Sequence, residues 1–400
     1  MAPPEIDLTD LDAFVPAVPH EWFARMRADG PFWQDEPGGP GFWNFSRYHD
    51  VVLVNKDNST FSSHERTALI HETPDEAIAQ QRMMMLNMDP PIHTRYRLLV
   101  NKGFTPRMVG QLEDRIREMT NVIIDEAVEK HDFDFVTDVA AELPLQVIAE
   151  LMGVPQEDRH RVFDWSNRMV GSQDAEYSQS LAEAGMASME LFAYAHQLTE
   201  EKKANPHDDL LSVLTQVEVG GEKLSELELD LFFLLLAVAG NETTRNLMAH
   251  GMHALLDHPD QYKELVADPS LLPGATEEML RWGSPVMHFR RTVMKETDIN
   301  GFPVHAGDKV VIWYIAANRD ETVFDDPYRF DIHRNPNPHV AFGGGGPHFC
   351  LGANLARVEI RVMFEEILRR LPDLVQTGPV ARLRSNFING IKHLPVRVGS

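Results

Sequence analysis

The stretch that decides the fold is AFGGGGPHFCLGANLARVEIRVMFEEILRRL, residues 341–371. Four consecutive glycines lead to Cys350, the only cysteine in the chain, and a helical pattern follows over residues 351–371. Glycine runs lose much backbone entropy on folding, so a chain that keeps one beside its single thiol has a use for that loop. The positive end of the helix and the loop amides favour the thiolate of Cys350 over the thiol. The sequence therefore predicts a nucleophile or a metal ligand.

Other interpretations of this loop stay open. A lone cysteine is commonly a buried, inert residue. A cysteine hydrolase would need a distant His and Asn, and the 18 histidines of the chain exclude little. A phosphate loop would need Lys and Ser or Thr after the glycines, where this chain has Pro347, His348 and Phe349. A zinc site at HGMH, residues 250–253, lacks thiolate partners.

Composition narrows the class of protein. The chain has 400 residues, 43% of them hydrophobic, without an internal repeat, a low-complexity tract or a composition break. We expect a single domain over residues 1–400 and a monomer. Net charge is −24, which disfavours nucleic acid and anionic lipid as partners.

Two further features bear on location. The amino terminus, MAPPEIDLTDLDAF, has neither a basic flank nor an apolar run, and a lone cysteine cannot form an intrachain disulfide, so we expect a cytoplasmic protein. The apolar run LFFLLLAVAG, residues 231–240, is half the length of a membrane span. We therefore expect no membrane anchor.

Helical spacing of apolar residues dominates the chain, over residues 107–131, 180–204 and 246–259. Strand patterns are scarcer: a hairpin with a glycine turn over residues 297–318, and short pieces near residues 42–54 and at the C-terminus. The predicted fold class is mainly α with small β-sheets. Ser225 and Glu228 form a capping box before an apolar run, which predicts a core helix from about Glu226 to Asp257.

Polar residues interrupt the middle of that core helix at AGNETT, residues 239–244. Glycine weakens a helix, and buried carboxylates and hydroxyls are costly without partners. One interpretation is a bend in which the hydroxyls bond to carbonyls one turn earlier. The other is a helix opened beside a cavity, where Glu242 and Thr243 bind and relay protons to a bound group.

Two other pairs share a helix face, namely His93 with Arg97 in DPPIHTRYR and Glu278 with Arg281 in EEMLRW. Each pair alone is typical of a solvated surface. Taken together and in this order, HxxxR, AGxET, ExxR, Arg334 in FDIHR, and the glycine loop with HxCxG resemble the cytochrome P450 superfamily of haem-thiolate monooxygenases over essentially the whole chain.

The resemblance implies a role for each motif. Cys350 corresponds to the axial thiolate of the iron of haem b, which favours O–O cleavage. Glu242 and Thr243 correspond to the acid and alcohol of oxygen activation, and Glu278, Arg281 and Arg334 to a structural triad. The implied haem-binding residues are His93, Arg97, Arg291 and His348, which would hold the propionates, together with Phe342 and Gly346 of the glycine loop. Haem is expected between the core helix and the helix after Cys350.

One departure from the family pattern lies in the glycine loop. The usual phenylalanine lies seven residues before the cysteine, whereas Phe342 lies eight before Cys350. Gly346 and His348 keep their expected distances, so the extra residue falls within the glycine run. The ligand assignment is unaffected, and the packing of Phe342 over the haem is the point that the insertion puts in question.

The implied activity is insertion of one oxygen atom from O₂ into an apolar small molecule, with electrons from a ferredoxin and a ferredoxin reductase. The sequences NETTRN, residues 334–357 and NGIKHLP resemble a bacterial branch that hydroxylates methyl-branched lipids and sterol side chains at a terminal carbon. Alternatives are a peroxide-driven haem-thiolate enzyme and a haem sensor or carrier. The expected substrate-pocket residues are Leu236, Ala239, Val286, Met287, Phe289, Phe387 and Ile388, with an adaptable lining from MMMLNM, residues 83–88. The arginines of residues 351–371 suggest a basic docking island for an acidic ferredoxin.

Overall fold

The computed structural model describes residues 6–36, 38–104, 106–218 and 221–399, and helices dominate them. The helices are α1 His20–Asp29, α2 Tyr48–Lys56, α3 Asp75–Gln81, α4 Ile92–Val100, α5 Pro106–Lys130, α6 Glu142–Met152, α7 Arg159–Val170, α8 Leu181–Ala204, α9 Leu210–Gln216, α10 Glu226–Asp257, α11 Pro259–Ala267, α12 Leu272–Gly283, α13 Tyr314–Ala317 and α14 Ala353–Arg370. The strands are β1 Phe32–Gln34, β2 Phe42–Phe45, β3 Phe61–Ser62, β4 Asp132–Asp134, β5 His288–Val293, β6 Thr297–Ile299, β7 Phe302–Val304, β8 Lys309–Trp313, β9 Val375–Gln376, β10 Ala381–Arg382, β11 Ile391–His393 and β12 Pro395–Arg397.

The core helix α10 has the bounds that the sequence predicts. Its capping box is present: the Ser225 hydroxyl accepts a hydrogen bond from the Glu228 amide at 3.2 Å, and the Glu228 carboxylate accepts one from the Ser225 amide at 2.8 Å. Helix α10 packs against α6, α7, α8, α12 and α14, so its apolar residues are enclosed from several sides. The predicted passage through the core is confirmed.

The largest sheet has the order β1-β2-β8-β5-β3, in which β2 and β8 run parallel and the other neighbours antiparallel. The predicted glycine turn joins β6 to β7, where Asn300 and Gly301 both have positive φ. The rest of the predicted hairpin is wrong: β8 pairs with β5 and β2, and the chain then turns into α13.

A buried ion-pair network holds the segment before the glycine loop. Glu278 and Arg281 both have fully buried side chains and meet at 2.7 Å, and Arg334 reaches Glu278 at 3.2 Å. The Arg281 guanidinium also donates to the carbonyl oxygens of Asn318 and Pro327. This network ties α12 to the chain between α13 and the loop that carries Cys350, as the predicted structural triad should.

None of the described helices is both long enough and apolar enough to cross a membrane.

Candidate active site

A cavity of about 250 Å³ lies between α10 and the Cys350 loop with α14. We call it the main cavity. The residues that line it are Met85, Leu86, His93, Arg97, Phe104, Ile148, Phe232, Leu235, Leu236, Ala239, Gly240, Thr243, Thr244, Leu247, Leu280, Pro285, Val286, Phe289, Arg291, Tyr314, Ala341, Phe342, Gly343, His348, Phe349, Cys350, Leu351, Gly352, Leu355, Ala356 and Glu359. Most predicted site residues are therefore brought together around one space.

Cys350 lines the main cavity three residues before α14 begins. Burial raises the pKa of its thiol, while the Gly352 amide and the cations of Arg97 and Arg357 act in the opposite direction. The Gly352 amide thus favours the thiolate, as the loop sequence predicts, and burial opposes it. A cation bound at the sulfur would supply what the amides do not.

The glycine loop turns on backbone conformations that other residues rarely adopt. Gly343, Gly344, Gly345 and Gly346 have φ of +99°, +64°, +102° and +80°. The turn lets the Cys350 amide donate to the Phe342 carbonyl oxygen at 3.0 Å, and Phe342 itself lines the main cavity. The extra residue is therefore accommodated within the glycine run, as its position in the sequence indicates.

Gly346 does not line the main cavity and instead packs against the backbone at the end of α2. A Cβ at this position would lie 2.2 Å from the carbonyl oxygen of Asn55 at the end of α2, so only glycine allows this approach.

We expect Gly346→Ala to lower the free energy of unfolding by at least about 2 kcal/mol, because it adds a backbone clash to the strain of positive φ. Urea denaturation and haem content measure the effect. Gly345→Ala is the matched control: its φ is also positive, but the nearest atom to its Cβ is the flexible Lys56 Cε at 3.2 Å. A loss at Gly346 no larger than that at Gly345 would contradict the role of the close approach.

Four basic side chains line one part of the main cavity: His93 and Arg97 on α4, Arg291 on β5, and His348 in the loop. The rings of His93 and His348 lie 4.3 Å apart, and Arg97 donates to the Pro347 carbonyl oxygen at 3.1 Å. His93 and Arg97 therefore line a cavity, whereas such a pair taken alone is typical of a solvated surface.

These basic groups have no acidic partner among the described residues. The His93 Nδ1, Arg291 Nε and His348 Nε2 atoms are buried without any hydrogen bond. Burial, with the neighbouring Arg97, lowers the pKa of His93 to about 4, and burial lowers the pKa of Arg291. Unpartnered donors that converge in a cavity fit a ligand with carboxylates, and the two propionates of haem b have that chemistry. The residues present therefore fit haem, with Cys350 as the available metal ligand.

Thr243 lines the main cavity, and its hydroxyl donates to the Ala239 carbonyl oxygen at 2.7 Å. Both interpretations of AGNETT thus hold in part: the hydroxyl bonds to the preceding turn, and it lies at a cavity. Thr244 also lines the cavity.

The structure does not bring the Glu242 carboxyl to the cavity. Glu242 is buried on another side of α10, where it pairs with Arg245. Arg245 donates in turn to the Asn167 side chain at 2.7 Å and lies over the ring of Phe163 on α7. Burial raises the pKa of Glu242, although Arg245 opposes this.

Four of the predicted pocket residues line the cavity, namely Leu236, Ala239, Val286 and Phe289, and so do Met85 and Leu86 of the methionine-rich segment. Three do not: Met287, Phe387 and Ile388. Met287 points into a separate core cluster with Trp313, and Ile388 is 4% exposed and bridged to Val286. Alternation along the extended chain explains why Val286 lines the cavity and Met287 does not, because neighbouring residues face opposite sides.

Several lining residues were missed by sequence reasoning. Phe232 lies one turn before Leu236, and Glu359 lies one turn after Leu355, so helical spacing could have found both. No sequence pattern predicts that Tyr314 lines the cavity, because its position depends on how the preceding strand β8 pairs in the sheet.

Glu359 is the one acidic side chain among the described residues that line the main cavity. It is 2% exposed, its Oε2 has no hydrogen-bond partner, and burial raises its pKa to about 8.

Between about pH 5 and 8, Glu359 is ionised in the unfolded chain and protonated in the folded protein, so its contribution to stability falls as pH rises. The uncharged Glu359→Gln variant lacks this titration. We expect wild type to lose stability relative to the variant across this range, as measured by urea midpoints at each pH. A pH-independent difference between the two proteins would contradict the buried, unpartnered acid.

The predicted docking island carries less positive charge than its sequence indicates, because acidic residues outside residues 351–371 pair with its arginines. Arg357 pairs with Glu277 at 2.7 Å, and Arg361 pairs with Glu113 at 2.7 Å. Arg370 pairs with Asp125.

Comparisons with known proteins agree with this site. Residues 130–380 match the family "Cytochrome P450". The chain is 45% identical over 405 residues to a steroid C26-monooxygenase of Rhodococcus jostii (strain RHA1), with 98% of this chain and 85% of the relative covered. It is 42% identical over 412 residues to a methyl-branched lipid omega-hydroxylase of Mycobacterium tuberculosis (strain ATCC 25618 / H37Rv), with 98% and 96% covered.

The fold has a close solved counterpart. A Mycobacterium marinum cytochrome P450 in complex with pseudoionone superposes with a TM-score of 0.91 at 38% identity, covering 99% of this chain and 100% of that chain. Because family, relatives and fold agree over nearly the whole chain, this protein belongs to the cytochrome P450 family and is a haem-thiolate monooxygenase.

Proposed function

We propose that this enzyme hydroxylates a terminal carbon of a methyl-branched lipid, a terpenoid or a sterol side chain. The observation that carries the proposal is the apolar wall of the main cavity beside Thr243, formed by Phe232, Leu236, Ala239 and Phe289. Such a wall offers an apolar chain buried area, worth about 25 cal/mol per Å², and few polar anchors. The names of the two relatives, at 42–45% identity, support the same substrate class.

The residues of the site divide into binding and proton-handling groups. Cys350 would ligate the haem iron, and His93, Arg97, Arg291 and His348 would hold the propionates. Thiolate-ligated haem supplies the activation of O₂ by which one oxygen atom enters a C–H bond and the other leaves as water.

Proton supply is assigned to Thr243, which lines the cavity. Glu242 stays a prediction as the proton source, since its carboxyl must first leave Arg245 to reach Thr243.

Electrons would come from a separate ferredoxin and its reductase. Because the arginines of α14 are paired with acidic residues, other cations near the Cys350 loop would have to attract an acidic ferredoxin. Lys56 is exposed, lies against Gly345 of the glycine loop, and has no ion-pair partner among the described residues. This places a free positive charge beside the loop that carries Cys350.

Thr243→Ala should reduce product per O₂ consumed about tenfold or more and raise peroxide, because the cavity loses the hydroxyl that holds and passes a proton. Oxygen uptake, product and peroxide are measured together. Thr244→Ala is the matched control, a neighbouring threonine on the same cavity. Equal coupling in wild type and Thr243→Ala would remove Thr243 from this role.

The substrate class is tested with ferredoxin and ferredoxin reductase added to the purified enzyme. Isopalmitic acid, cholestenone, a linear monoterpenoid and a macrolide are compared by spectral titration and by mass spectrometry of products. We expect a high-spin shift and terminal hydroxylation with the branched acid, cholestenone or the monoterpenoid. Binding and product with the macrolide alone would overturn the substrate proposal while leaving the family assignment intact.

A further inference from the structure

A second, much smaller cavity of about 10 Å³ lies between α6, α7 and α10. We call it the small cavity. Its lining residues are Leu145, Ile148, Ala149, Val154, Val162, Phe163, Phe233, Ala237 and Asn241. Among the described residues, Ile148 alone lines both this cavity and the main cavity.

The two cavities face adjacent sides of α10. Phe233, Ala237 and Asn241 repeat at intervals of four and face the small cavity, while Phe232 and Leu236 face the main one. Gly240 continues the row of Phe232 and Leu236 at the same interval of four and lines the main cavity, next to Asn241 of the other row. The boundary between the cavities therefore runs along the Asn241 side of Gly240.

Ile148 covers that boundary. A Cβ at Gly240 would lie 2.4 Å from Ile148 Cδ1, so the isoleucine tip rests on helix backbone that only glycine leaves bare. Gly240 is three residues before Thr243, one turn away along the same helix. The Ile148 side chain thus forms the wall of the main cavity close to the reacting end.

On the small-cavity side of Ile148, one lining residue, Asn241, is polar. Asn241 is 2% exposed, and both polar atoms of its amide lack a hydrogen-bond partner. Buried amides without partners are uncommon and costly. Ile148 therefore separates an unpaired amide from the apolar lining that would receive a substrate chain.

We propose that Ile148 is a specificity-determining residue that sets how far the end of a substrate chain can advance past Gly240. The inference rests on the proposed terminal hydroxylation. Secondary and tertiary C–H bonds are weaker than those of a methyl group, so a terminal product requires a wall that keeps the chain from sliding deeper. Ile148 provides that wall on the α6 side.

Replacing Ile148 with alanine removes three carbon atoms from the wall and joins the two cavities. With isopalmitic acid and cholestenone as probes, we expect the ratio of subterminal to terminal product to rise about tenfold, the effect of about one methylene in an apolar pocket. Val162→Ala is the matched control, because Val162 lines the small cavity only. An unchanged product ratio in Ile148→Ala, or an equal change in Val162→Ala, would overturn the proposal.

Crystals of the haem-loaded proteins under xenon pressure test, without turnover, whether Ile148 separates the two cavities. Wild type and Val162→Ala should show no xenon density connecting the two cavities, whereas Ile148→Ala should show density reaching from the main cavity toward Asn241. Separate cavities in Ile148→Ala would refute the wall. If wild type hydroxylates neither probe at a terminal carbon, the proposed function fails, and the xenon result still decides whether Ile148 divides the cavities.

Discussion

A Cys350→Ala variant should lose monooxygenation completely while keeping its fold. Cys350 is the only thiol in the chain and lies in the wall of the main cavity, opposite the α10 segment that carries Thr243. A thiolate ligand is what directs haem toward O–O cleavage, and no other residue of this chain can supply one. Product formation with ferredoxin and reductase measures the loss, and circular dichroism confirms that the helices remain.

Cys350→His extends the test, since histidine can ligate iron but does not provide a thiolate. We expect this variant to retain some haem and still form no product. Wild-type turnover in either variant would refute the assignment of Cys350 as the iron ligand.

The second large effect is expected at Arg281. Replacing it with methionine leaves the fully buried Glu278 carboxylate with Arg334 as its one remaining cationic partner among the described residues, and removes donors from the carbonyl oxygens of Asn318 and Pro327. Breaking a buried ion pair from one side costs about 3–5 kcal/mol. We expect a loss of that size in urea denaturation, together with poor haem incorporation, because the network holds the segment before the glycine loop.

The chain contains a matched control with the same spacing. Glu366 and Arg369 also form an i, i+3 pair on one helix, but the Arg369 side chain is 64% exposed. Glu366 is buried, but Arg117 still pairs with it at 3.5 Å when Arg369 is removed, so Arg369→Met should change stability by no more than about 1 kcal/mol. Equal costs at Arg281 and Arg369 would show that the buried network does not have the structural importance given to it.

Local chemistry made parts of the fold predictable. The capping box at Ser225 fixed the start of α10, and the apolar run after it placed the helix in the core. The glycine run beside Cys350 indicated a loop built on positive φ, which the four glycines adopt. In each case the cause lies within a few residues of the effect.

Features set by distant partners could not be predicted in this way. Glu242 follows the sequence motif, yet Arg245 and α7 hold its carboxyl away from the cavity. The sequence of α14 predicts a basic surface from its arginines, but acidic residues from other helices pair with them. Met287 is apolar like Val286, but the direction of the extended chain sends it into another core cluster.

The absorption spectrum of the purified, reduced protein with carbon monoxide tests the central claim most directly. Thiolate ligation by Cys350 predicts a strongly red-shifted Soret band that the Cys350→His variant lacks. An unshifted Soret band in wild type would contradict thiolate ligation, and no Soret absorption at all would contradict haem binding by this cavity.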